Sequence, residues 1–102
     1  MSRVSIIAKM TAKEGQRDQL VEGLRKLVAA TESEPGTLVY SLNVSTKEPD
    51  VVWFYELYTD QDAAKAHGSS DAMKATAVLA EFMAGRPEVH FLEPVVGKGL
   101  PA

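Results

Sequence analysis

Residues 37–67 read TLVYSLNVSTKEPDVVWFYELYTDQDAAKAH, and this stretch decides the fold. Its first part, 37–45, is rich in β-branched and aromatic residues and reads as a strand. Thr46-Lys47-Glu48-Pro49-Asp50 has the composition of a turn, and 51–59 (VVWFYELYT) is a second strand, so the two form a hairpin. Asp60 then offers a side-chain oxygen for the N-cap of a short helical piece, Gln61 to His67.

Working outward, 3–11 (RVSIIAKMT) reads as a strand that Lys13-Glu14-Gly15 ends. From Gln16 to Glu32 the apolar residues Leu20, Val21, Leu24, Leu27 and Val28 fall on one helix face, with Asp18, Glu22, Arg25 and Lys26 on the wet side. Pro35-Gly36 stops that helix. After Gly68-Ser69-Ser70-Asp71, residues 72–84 predict a further helix carrying Met73, Leu79, Phe82 and Met83 to a core. Gly85-Arg86-Pro87 closes it, 88–96 (EVHFLEPVV) predicts a last strand, and 97–102 is expected to be a flexible tail. The order β-α-β-β-α-β, with the second helix broken, implies one α+β domain over 1–102. Two right-handed crossovers on one antiparallel sheet, helices on one face, make it ferredoxin-like.

The 102 residues suffice for one domain. Apolar residues make up 45% and charged residues 25%, the balance of a globular protein. With no cysteine, disulfides, thiolate metal sites and cysteine nucleophiles are excluded, and a cytoplasmic location is expected. The N-terminal apolar run is too short for a signal peptide, and no stretch approaches the ~20 apolar residues of a membrane span. A net charge of −3 with scattered basic residues argues against nucleic acid as a partner.

Strand alternation sorts the hairpin into two sets. Tyr40, Leu42, Val44, Trp53, Tyr55 and Leu57 form one; Val39, Ser41, Asn43, Phe54, Glu56 and Tyr58 form the other. Both are largely apolar, yet helices cover only one face of such a sheet. A second copy packed sheet against sheet is therefore expected, with Tyr40, Leu42, Trp53, Tyr55 and Leu57 at the interface of a homodimer. The mixed set, apolar with Ser41, Asn43, Glu56 and Tyr58, has the composition of a small-molecule pocket.

Several stretches resemble the antibiotic biosynthesis monooxygenase family of small dimeric proteins. They are Glu34-Pro-Gly-Thr-Leu-Val-Tyr40, the segment Phe54 to His67 followed by Ser69-Ser70, and Gly85-Arg-Pro-Glu-Val ending in Glu93-Pro94. The resemblance covers nearly the whole chain. It implies a dimeric α/β barrel and a family that includes cofactor-independent monooxygenases of phenols, quinols and polyketide aromatics, haem-degrading enzymes, and an isomerase of a phosphorylated signal-breakdown product. Two positions depart from the family pattern. Asp71-Ala72 stands where members often carry Pro-His, and Ala8 stands where the haem degraders use asparagine, so haem degradation is not expected.

His67 is the first candidate for chemistry, because an imidazole exchanges protons near neutral pH; a helix-terminal histidine that merely caps carbonyls is the bland alternative. Glu56 sits mid-strand among apolar residues, so it is either a proton-transfer group or half of a structural pair. The two are expected to form a catalytic pair at one pocket. Asn43, Tyr58, Phe54 and Ser41 are the candidate substrate-binding residues, with Asn43 or Tyr58 meeting an oxyanion. Trp53 is taken as packing and His90 as surface or interface. No metal-ligand spacing, phosphate loop or dinucleotide fingerprint is present, so no metal or other cofactor is expected.

Three functions follow. One is a cofactor-independent monooxygenase acting on a small aromatic or quinol. The second is an isomerase of a small carbonyl compound, with Arg86, Lys9 or Lys65 required to reach any phosphate. The third is a non-catalytic dimeric ligand-binding module.

Overall fold

The computed structural model describes residues 2–101. Strand β1 (Val4–Thr11) leads into helix α1 (Arg17–Ala30), which ends in one 3-10 turn, Thr31–Ser33. Strands β2 (Thr37–Val44) and β3 (Val51–Tyr58) form the hairpin. Helices α2 (Gln61–Gly68) and α3 (Asp71–Ala75) follow, then a 3-10 stretch, Thr76–Phe82, and strand β4 (Glu88–Leu92). The four strands make one antiparallel sheet in the order β2-β3-β1-β4, the ferredoxin-like arrangement. Leu20, Leu24 and Leu27 of α1 pack on Ala8, Val52 and Phe54 of the sheet, and Leu79 completes the core.

The hairpin register corrects the sorting of its faces. Ser45 N–H donates to Val51 O at 3.0 Å across the five-residue turn 46–50. An odd number of intervening residues puts positions of equal parity on one face. Tyr40 therefore pairs with Glu56 and Leu42 with Phe54 on the helix side, while Ser41 pairs with Tyr55 and Asn43 with Trp53 on the other. A bulge at Leu38 brings Thr37 opposite Tyr58. Arg17 holds the turn to α1, its Nη1 donating to Ser45 O at 3.1 Å and Glu48 O at 3.2 Å.

Two elements differ from expectation. The helix expected over 72–84 is α-helical only up to Ala75, and Thr76–Phe82 winds as 3-10 helix. Within Thr76–Phe82 the less exposed positions are Thr76, Leu79 and Phe82, a spacing of three that a 3-10 helix puts on one side and an α-helix does not. The last strand stops at Leu92 rather than 96, just before Pro94, which has no N–H for a ladder. Within the expected tail, Arg3 Nη1 donates to Pro101 O at 2.5 Å, tying residue 101 to the start of β1; Ala102 lies outside the described residues.

Asp60 caps α2 as expected, accepting from Ala63 N–H at 2.8 Å. The helix then lies against the loop before β2, where a side chain at Gly36 would put its Cβ 2.5 Å from Ala63 Cβ. Ala63 Cβ is fixed to the backbone and cannot rotate away. Gly36→Ala should therefore lower stability by about 1–3 kcal/mol in urea unfolding, and Ala63→Gly in the same chain should recover most of that loss. An unchanged urea midpoint in the single variant would refute the tight contact.

Candidate active site

A cavity of about 300 Å³ lies between sheet and helices. Its floor is Ile6, Ala8, Phe54 and Tyr40; its roof comes from α1, α2 and the 3-10 stretch, with His67, Thr76 and Leu79. The polar groups in these apolar walls are concentrated at the α2 end.

Glu56 reaches this cavity because its strand position, between Ile6 and Tyr40, faces the helices. It is only 7% exposed. Tyr58, two residues along the same face, donates its hydroxyl to Glu56 Oε1 at 2.6 Å. Burial raises the Glu56 pKa above the ordinary carboxylate range, and the Tyr58 bond and the nearby His67 offset this in part. Tyr40 and Tyr58 are both held far above the usual phenol range, first by burial and then by the neighbouring carboxylates, so both hydroxyls stay protonated.

His67, 5% exposed, stands near the end of α2 against the rings of Tyr40 (4.6 Å between centroids) and Tyr58 (5.7 Å). Its Nδ1 lies 2.8 Å from Glu34 Oε1, which also accepts from Thr37 Oγ1 at 2.8 Å. Nε2 has no protein partner among the described residues. The ring itself is part of the cavity wall.

The expected His67–Glu56 pair is thus revised. Both side chains line one cavity, but Glu34 bonds the imidazole and Tyr58 bonds Glu56. Glu34 was missed as a site residue because it sits in the turn before β2, far from His67 in sequence. Its only signal was its position in the 34–40 family stretch, opening the Glu-Pro-Gly-Thr turn.

Phe54 and Tyr58 line the cavity, whereas Ser41 and Asn43 do not. Asn43 Nδ2 donates to Ser41 O at 3.2 Å and Trp53 O at 3.3 Å on the opposite face. Tyr40 and Leu42, expected at a sheet-to-sheet interface, face the helices and pack against the core. Trp53, Tyr55 and Leu57 do occupy the outer face: Leu57 is fully buried, and Lys9 Nζ lies 5.7 Å from the Trp53 ring centroid. His90 is exposed on that face, 3.8 Å from Glu88. Among the described residues no group of three or more His, Asp or Glu is arranged to hold a metal, and no helix is long and apolar enough to cross a membrane.

The sequence matches the antibiotic biosynthesis monooxygenase family over residues 3–78. The fold matches a Caulobacter crescentus protein named "putative antibiotic biosynthesis monooxygenase", with a TM-score of 0.88 and 32% identity over 93% of this chain and 92% of that one. A protein of the same name from Chloroflexus aurantiacus is 33% identical over 98% of this chain and 100% of its own, with a TM-score of 0.83. A Shewanella oneidensis protein gives 0.87 and 30% identity, covering 94% of each chain. Among curated proteins none matches. The chain belongs to the antibiotic biosynthesis monooxygenase family.

The raised pKa of Glu56 makes stability depend on pH. The folded state holds a proton that the unfolded chain releases near its ordinary value of 4.5, so stability from this group is full below that value. It is lost as pH rises through the raised folded pKa. Urea midpoints measured between about pH 4 and 8 should therefore fall less in Glu56→Gln, whose amide oxygen still accepts from Tyr58, than in the wild type. Superimposable pH profiles would contradict the buried-carboxylate account.

Proposed function

We propose that the protein is a cofactor-independent monooxygenase that oxidises a small aromatic or quinol-type substrate with molecular oxygen. The observation that carries this reading is the buried imidazole of His67 in the wall of an apolar cavity, held at Nδ1 by Glu34 and with Nε2 unpartnered among the described residues. A carboxylate oxygen only accepts hydrogen bonds, so Nδ1 carries the proton and Nε2 of the neutral ring carries the lone pair. That nitrogen takes the hydroxyl proton of a phenol or quinol. The hydroxyl of Tyr40 has no protein partner among the described residues and stays protonated, so it can donate to the oxyanion that forms. Tyr58 remains committed to Glu56.

The electron-rich anion reduces oxygen itself. The substrate loses two hydrogens and gains one atom of O2, and the other atom leaves as water, so every electron comes from the substrate. The protein supplies the base, the donor and a dry cavity. The lining contains neither Lys nor Arg. A phosphorylated carbonyl compound, as the isomerase reading allows, would bring unpaired negative charge beside Glu56, which favours an uncharged aromatic.

Oxygen uptake with a panel of naphthoquinols and phenols tests the proposal. Uptake should saturate with substrate, and His67→Ala should lower kcat about a hundredfold or more, Glu34→Gln and Tyr40→Phe less. Turnover of the panel without oxygen, or undiminished turnover by His67→Ala, would overturn it.

A homodimer belongs to the same proposal, its contact centred on Ile7, Trp53 and Tyr55, which share the outer sheet face and are only half-buried in the single chain. Light scattering at micromolar concentration should give about twice the chain mass of 11.1 kDa; a monomer would remove this part.

A further inference from the structure

A second concavity, about 830 Å³ and open to solvent, lies beside the cavity, between the start of β1, the end of β4 and the first turns of α2. The two spaces share two wall residues, Phe91 and Ala64. Phe91 pairs with Ile6, so it faces the helix side of the sheet, yet it is 71% exposed because it stands on the edge strand. Ala64, on α2, contributes only a methyl group to that shared wall. An aromatic ring left in water at the junction of an apolar chamber and a polar groove is energetically unfavourable unless something covers it.

The polar groups of the groove fit this geometry. Asp60 is occupied as the α2 cap and Arg3 as the donor to Pro101. Gln61, Lys65 and Glu93 have no side-chain hydrogen-bond partner among the described residues and so remain available. Their charges cancel, so the groove favours neutral hydrogen-bonding groups over an ion of either sign.

We propose that the groove is a second subsite and that Phe91 and Ala64 are its doorway. The aromatic ring of the substrate occupies the cavity beside His67, and a hydroxylated side arm passes over Phe91 into the groove. The substrate class is then a ring with a polar, uncharged arm rather than a bare quinol. This inference rests on the proposed aromatic substrate.

The test is calorimetric titration of the folded protein with naphthoquinone and with the same ring bearing a hydroxybutyl arm, both stable oxidised probes. The armed ring should bind the wild type about tenfold or more tightly. Ala64→Trp, which fills the space between the two walls, should lose that preference, so that the armed ring binds no more tightly than the bare one. Phe91→Ala should also weaken the preference, and since that side chain is mostly exposed its fold should be undisturbed. Equal affinities for the two probes in the wild type would overturn the second subsite and leave the proposed function standing. Preference retained in both variants would overturn the doorway. Absence of both binding and oxygen uptake with every ring would remove the proposed function, and this inference with it.

Discussion

Pairing of Tyr40 with Glu56 and of Leu42 with Phe54 fixes, through the two-residue period of a strand, which side chains of the hairpin the helices cover. A slip by one residue would turn Glu56 and Tyr58 out to the other face and bring Trp53, Tyr55 and Leu57 in. The hydrogen-bonded turn after Ser45 and the hold of Arg17 on its carbonyls resist that slip. The cavity's chemistry is thus set at the far end of the hairpin from the cavity's polar groups.

Those polar groups satisfy one another before any ligand arrives. A buried carboxylate without a partner would cost several kcal/mol, and Glu56 avoids this through Tyr58 and a raised pKa. Glu34 Oε1 accepts from both His67 and Thr37, so the imidazole is oriented by a carboxylate that is itself oriented. The spare capacity left in the cavity is the Nε2 edge of His67 and the hydroxyl of Tyr40, on adjoining rings, which the proposed function uses as base and donor.

The sequence made the order of elements legible because its signals are local: Asp60 capping, Pro35-Gly36 and Gly85-Arg86-Pro87 stopping, and leucines at helical spacing along α1. His67, Glu56, Phe54 and Tyr58 were within reach for the same reason, since all lie in one strand and the helix that follows it. What depended on pairing between strands was not legible. Each strand's alternation was readable, but joining the two required knowing that Ser45 and Val51 are partners across the turn, and that misassigned Tyr40, Leu42, Ser41 and Asn43. Glu34 escaped because the loop before β2 meets α2 only in three dimensions, at the contact Gly36 makes possible.

The 3-10 winding of Thr76–Phe82 gives the cavity two walls of unequal stiffness. A 3-10 helix rises about 2.0 Å per residue against 1.5 Å for an α-helix, with poorer hydrogen bonds, so it yields more readily to strain. Thr76, Leu79 and Met83 line the cavity from that compliant side, while Tyr40, Phe54, Glu56 and Tyr58 line it from a hydrogen-bonded sheet. Under the proposed function, a thicker ring would displace the 3-10 wall and leave the sheet-borne groups in place. Tolerance for ligand shape would then lie with the 3-10 wall, while His67 is carried on the α-helical segment α2.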